Sequence, residues 1–191
     1  MRLILASTSP YRRELLQRLG IDFECIAPDA DEASLPGEAP RQLVERLAVA
    51  KAAAVADAHP DALIIGSDQM AVCGDLVLGK PGDHARAQAQ LASLSGQRVS
   101  FLTGLCVLNS TTGHRQVEVI PFHVHFRRLD AAMIDHYLRR EQPYDCAGSF
   151  KSEGLGIALF ERLEGDDPTA LIGLPLIRLT RMLEAEGMRV I

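Results

Sequence analysis

The stretch Leu3-Ile-Leu-Ala-Ser-Thr-Ser-Pro-Tyr-Arg-Arg-Glu-Leu-Leu16 decides the fold. Its apolar start, Leu3 to Leu5, reads as a buried strand. The hydroxyl cluster Ser7, Thr8 and Ser9 ends that strand, and Pro10 opens an amphipathic helix. Ser9 suits the N-cap and Pro10 the first helical position. A strand feeding a hydroxyl-rich turn and a helix N-terminus makes an anion site, because free backbone N–H groups and the helix dipole both favour negative charge. Arginine in the first turn makes phosphate the natural candidate. Helical phase separates the two arginines: Arg12 lies one turn before Leu15 and Leu16, on the face they share with Leu19, whereas Arg13 turns to solvent.

Outward from this segment, strand-like and helix-like stretches alternate. Phe23 to Ile26 reads as a strand and is followed by the acidic loop Asp29 to Glu38. An alanine-rich helix is predicted from Arg41 to Ala58, where Pro60 stops it. Leu63 to Ile65 is a second buried strand, leading into Gly66-Ser67-Asp68-Gln69. A helix over Asp83 to Leu94 precedes two longer strands, Val99 to Leu108 and Gln116 to Arg127, joined by a hairpin-like turn at Asn109 to Gly113. Ala131 to Arg140 and Leu174 to Glu186 are helical, with a glycine-containing loop at Gly148 to Gly156. A hairpin set among crossover-like units implies an α/β fold with a twisted mixed sheet and flanking helices.

Composition narrows the function. A chain of 191 residues, 47% apolar and 24% charged, can bury one sizeable core as one domain or one fold with two lobes. The net charge of −5 argues against a broad footprint on polymeric nucleic acid, which needs an excess of Lys and Arg on one face. Cys25, Cys73, Cys106 and Cys146 are scattered without a C-x-x-C pair, as expected of reduced thiols in the cytoplasm. No signal-peptide pattern and no membrane-spanning apolar stretch is present, so a soluble chain away from membranes is expected.

Several side chains stand out chemically. Lys51 falls on the same helical face as Val44, Leu47, Ala48 and Val55, so it must either snorkel to water or meet an anion. Asp68 follows a buried strand, where a carboxylate can activate water, hold a divalent metal, or cap the next turn. Glu32 beside Asp31 reads alone as a solvated charge. Gly74 to Lys80 has the spacing of a phosphate-binding P-loop, but Pro81 replaces the required Ser or Thr and removes a backbone N–H. A P-loop is therefore excluded, although Lys80 remains a candidate phosphate contact. His123 and His125 share one strand face, which reads better as a polar solvent side than as a metal site. No nucleophile elbow is present.

In combination these residues resemble the Maf family of nucleoside triphosphate pyrophosphatases. The opening segment, Asp31-Glu32, the helix carrying Lys51, Gly66-Ser67-Asp68, Gly79-Lys80-Pro81 and Phe150-Lys151-Ser152-Glu153-Gly154 follow in the family's order across essentially the whole chain. The resemblance implies a single Maf-like domain over 1–191, with two lobes around a cleft, similar to inosine triphosphate pyrophosphatases. It implies hydrolysis of a nucleoside triphosphate to a monophosphate and pyrophosphate. Asp68 would be the general base. Ser7, Ser9, Arg12, Lys51 and Lys80 would hold the phosphates, and Glu32 with Asp68 would bind a divalent cation, magnesium or manganese.

Tyr11, Gln69 and Glu153 depart from the family branch that acts on dTTP and UTP, and look like the branch that acts on 7-methyl-GTP. Methylation at guanine N7 leaves a delocalised positive charge on the base. Tyr11 can stack on such a cation where an arginine would repel it. Glu153 can accept from the guanine N1–H and N2–H₂ edge and also favours the cation. Two alternatives stay open: a Maf-type pyrophosphatase for dTTP and UTP or of broad specificity, and a non-enzymatic regulator of septum formation. A homodimer is expected from family habit.

Overall fold

The run after Met1 forms β1 (Arg2–Ala6), whose last four residues are buried. Ser9 caps α1 (Pro10–Gln17) by accepting from the Arg12 N–H. The computed structural model describes residues 1–191. After β2 (Glu24–Ile26) come α2 (Pro40–Ala56), β3 (Ala62–Cys73), β4 (Leu76–Leu78), α3 (His84–Leu94), β5 (Arg98–Asn109) and β6 (Arg115–Phe126). They are followed by α4 (Ala131–Glu141), β7 (Phe160–Glu164) and α5 (Leu176–Ala185), with short 3₁₀ turns at Ala147–Ser149, Leu155–Leu159 and Pro168–Leu171.

The strands form a mixed sheet in the order β2-β1-β3-β5-β6-β7, with β4 paired to β3. β1 runs parallel to β2 and β3, while β4 and β7 run antiparallel to β3 and β6. This is the α/β fold with a mixed sheet and flanking helices expected above.

The chain divides into two compact units. The first comprises Met1–Gln69, Leu102–Ile120 and Asp167–Ile191; the second comprises Met70–Phe101 and Pro121–Asp166. In the first, Ile4, Ala6, Ala62, Ile64 and Cys106 form a buried cluster with Ala48, Ala52 and Val55 of α2. Two glycines let α2 lie directly on the strands. A Cβ on Gly66 would stand 2.0 Å from the Ala48 carbonyl oxygen, and one on Gly104 2.1 Å from that of Val44. No side chain fits either place, so these glycines serve close backbone approach. In the second unit, four of the six phenylalanines, Phe101, Phe126, Phe150 and Phe160, pack edge-to-face with centroids 5.0 to 5.6 Å apart.

Three expectations need correction. Asp68 does not follow a strand but lies inside one, because Gln69 to Cys73 continues as β3 and Ala71 to Cys73 pairs with β4. The last helix starts at Leu176 rather than Leu174, since Gly173 has φ +121° and Pro175 is the N-cap. β4 and β7 have no counterpart in the sequence-based reading. Gly74, the first glycine of the apparent P-loop, turns the β3–β4 hairpin with φ +58°, which agrees with excluding that motif. None of the four cysteines is in a disulfide, and no helix is long and apolar enough to cross a membrane.

Candidate active site

Strand alternation sorts the residues around Asp68. Gly66 and Asp68 share the face that α2 covers, and the close approach at Gly66 brings Lys51 within reach. The Lys51 ammonium donates to Asp68 Oδ1 at 2.7 Å and pairs with Glu32 at 2.8 Å. Lys51 is only 6% exposed, so the anion that its apolar setting demanded is supplied by two carboxylates. Arg12 completes the group. Its Nε donates to the Gly173 carbonyl at 2.9 Å. Loss of hydration lowers the Arg12 pKa from its ordinary value, while Asp68 and Glu32 work against that shift. An arginine stays protonated regardless. Two cations and two carboxylates therefore meet here with balanced formal charge.

Ser67 and Gln69 point to the opposite face, towards the turn that ends at Gly173. The buried Ser67 hydroxyl donates to the Gly173 carbonyl at 3.0 Å, the same oxygen that accepts from Arg12. The Gln69 amide nitrogen donates to Thr103 Oγ1 at 3.0 Å and to the carbonyls of Ala170 at 2.6 Å and Leu171 at 3.2 Å. Thr103 in turn donates to Ala170 O at 2.9 Å. Gln69, expected among the base-selecting residues, thus has its donors committed to a turn of its own unit. At the opening segment, Ser7 is buried and its Oγ accepts from the Ser9 N–H at 3.1 Å; Tyr11 is half-buried.

The acidic loop is held by α2. Arg46 grips Glu38 through Nε at 2.7 Å and Nη2 at 2.8 Å, and its Nη2 also reaches Ala33 O at 2.8 Å. This grip, with the Leu35 N–H, holds the Glu38 carboxyl at a pKa of about 2. Glu32 lies within the loop so fixed.

Of the expected site residues, Ser7, Ser9, Tyr11, Arg12, Glu32, Lys51, Asp68 and Gln69 belong to the first unit. The second holds Lys80 and Glu153, both exposed. Glu153 stands on the turn Lys151–Gly154, and its Oε2 accepts from Ser152 Oγ at 3.1 Å. His123 and His125 bind neighbouring side chains: His123 contacts Ser100 Oγ and Arg98 at 2.9 Å each, and His125 meets Glu164 at 2.9 Å. Sequence reasoning missed Gly104, Thr103 and Gly173, and read Gly66 and Ser67 as part of a motif without giving either a role. Only the glycines inside apolar strands carried a signal, since such glycines mark close backbone approach.

The chain belongs to the Maf family: the model of the Maf-like protein family matches residues 2–186. A relative from Pseudomonas fluorescens is 59% identical over 188 residues, covering 98% of each chain. One from Nitrosococcus oceani is 60% identical over 97% of this chain and 93% of its own length. A third, from Alcanivorax borkumensis, is 60% identical over 98% and 95%. All three are named 7-methyl-GTP pyrophosphatase. The solved structure of the Staphylococcus aureus Ham1 protein aligns with 66% of this chain and 72% of its own, at 14% identity and a TM-score of 0.47. That similarity is too low to carry an assignment.

Proposed function

We propose that this chain hydrolyses 7-methyl-GTP to 7-methyl-GMP and pyrophosphate, clearing a modified nucleotide from the cytoplasmic pool. The near-full-length likeness to relatives named for that activity carries the reading. The cluster around Asp68 supports it chemically. A water oxygen bonds to the α-phosphorus as the bond to the α–β bridging oxygen breaks, and pyrophosphate leaves with that oxygen. Asp68 takes the proton from the water. Lys51 and Arg12 hold phosphate oxygens and offset the charge that develops on the leaving group. Ser7, Ser9 and Lys80 assist as phosphate contacts.

Glu32 and Asp68 are the residues that would hold a divalent cation. No three His, Cys, Asp or Glu side chains converge into a metal cage. Two carboxylates plus substrate phosphate oxygens suit magnesium or manganese, which commonly bind through one or two carboxylates. A cation held there would neutralise phosphate charge. The balanced charge of Arg12, Lys51, Glu32 and Asp68 leaves that task open.

Tyr11 stacks on the methylated, cationic base and Glu153 accepts from its Watson–Crick edge. Gln69 affects base choice through the 168–173 turn, since its amide donors already serve that turn.

Pyrophosphate release from a panel of 7-methyl-GTP, GTP, UTP and dTTP with magnesium or manganese tests the reading. 7-methyl-GTP should have the highest kcat/KM. Faster turnover of UTP or dTTP would place the chain with the pyrimidine-directed branch, and no release from any nucleotide would favour a regulatory role.

A further inference from the structure

The turn that carries Glu153 is gripped from α4 at both ends. Tyr137 and Glu141 are four residues apart and so share a helical face. The buried Tyr137 hydroxyl accepts from the Lys151 N–H at 3.1 Å, and Glu141 Oε2 accepts from the Leu155 N–H at 2.8 Å. Between those points the backbone closes on itself: the Gly154 N–H donates to Lys151 O at 3.3 Å.

Gly154 has φ −112°, so its glycine answers space rather than conformation. A Cβ there would lie 2.8 Å from Glu141 Oε1 and 2.9 Å from Oε2. The carboxylate is thus pressed flat against the turn. Upstream, Phe150 is plugged into the phenylalanine cluster. Glu153 alone stands out to solvent, on a turn fixed on every side.

The position of Glu141 is informative. It is the last residue of α4, where unpaired carbonyls make a carboxylate unfavourable. Arg139 and Arg140 in the same turn are what the helix itself prefers. The acid is held there by the Leu155 N–H, a charge-assisted bond of the stronger kind. Burial raises the Tyr137 pKa, and the nearby charges of Glu141 and Glu153 add to it, consistent with the phenol remaining a neutral acceptor.

We infer that Tyr137 and Glu141 are positioning residues that hold the Lys151–Leu155 turn so that Glu153 meets the base of the nucleotide in one fixed orientation. This rests on the reading of Glu153 as a base-recognising residue. Glu141→Ala is expected to raise KM for the preferred nucleotide about tenfold, the effect of one lost charge-assisted hydrogen bond, with kcat within about twofold. The kcat/KM preference for that nucleotide over the next best should fall in proportion. Glu141→Gln keeps an acceptor oxygen for Leu155 and should restore most of the preference. Tyr137→Phe removes only the Lys151 acceptor and serves as the second variant if Glu141→Ala folds poorly. Hydrogen exchange at the Leu155 amide should quicken in Glu141→Ala and not in Glu141→Gln. In a Glu153→Ala background, adding Glu141→Ala should cost no further preference.

Quickened exchange with unchanged preference would overturn the inference, as would an equal loss of preference with Glu153 already removed. The ratio is taken between the best and next-best nucleotides of the panel. A wild-type chain that prefers another nucleotide would therefore defeat the 7-methyl-GTP reading while the role of the turn is still decided.

Discussion

Lys51 holds two carboxylates at once, and the two are not equivalent. The Asp68 side chain is 14% exposed and that of Glu32 is 61% exposed. Removing the ammonium leaves a largely buried aspartate without its partner, which is costly, while Glu32 can turn to water. Lys51→Ala should therefore lower stability by about 2–3 kcal/mol, below the range of a fully buried pair, as read from urea unfolding. An unchanged midpoint would show that Asp68 finds another donor. Asp68→Asn keeps the size of the side chain and removes its basicity. Turnover should fall by about 10²–10⁴-fold, while nucleotide binding measured by calorimetry with magnesium present stays within about tenfold of wild type, because the Asn amide oxygen can still ligate a cation and one negative charge facing the triphosphate is gone. Retained turnover would remove Asp68 from the role of base.

At the scale of elements, the contact of α2 with β3 and β5 depends on hydrogen atoms at Gly66 and Gly104. Gly66→Ala drives a methyl group into the Ala48 carbonyl, so helix and strand must part. Overpacking of this kind costs about 1–3 kcal/mol, or about 2–12 °C in Tm for a chain of this size. Because Lys51 rides on the same helix, kcat should fall beyond what the lost folded fraction explains; a purely proportional loss would mean the helix keeps its register. The loop before α2 responds to acid. Arg46 depresses the Glu38 carboxyl to about 2, so its contribution is present above the ordinary carboxylate range. It is lost as pH falls from about 4.5 towards 2. Protection of the Leu35 amide, which donates to Glu38, should fall across that window when its hydrogen exchange is taken relative to the intrinsic rate at each pH, and should be lost at neutral pH in Glu38→Ala. Element order is legible in the sequence wherever buried apolar residues run together or keep one phase, as in β1, α1 and β5. β4 and β7 are not, because they span only three and five residues and most of both strands is exposed. Lys51 is legible as a cation needing an anion, whereas which anion depends on the approach at Gly66, a contact between segments remote in sequence.

Across the whole molecule, charge governs the encounter with substrate. The chain carries a net −5, and a nucleoside triphosphate is itself strongly anionic, so attraction has to come from a few placed groups. Around Asp68 those groups already cancel: Arg12 and Lys51 against Glu32 and Asp68. A triphosphate entering such a cluster brings more negative charge than Lys80 alone can offset, so added cations have to supply the rest. The two carboxylates are also bonded to Lys51, which would compete with any metal for the same oxygens. Both arguments lead to one expectation: nucleotide and divalent cation bind together, each poorly without the other. By linkage, the factor by which nucleotide improves metal affinity must equal the factor by which metal improves nucleotide affinity. Titration calorimetry with magnesium and a non-hydrolysable α,β-methylene triphosphate should show weak binding of magnesium to the free chain and a gain of at least about tenfold with the analogue present. Chelation should abolish pyrophosphate release, and added magnesium should restore it. Tight magnesium binding to the free chain, or an analogue affinity indifferent to magnesium, would mean that the charge of the cluster is not what the metal answers.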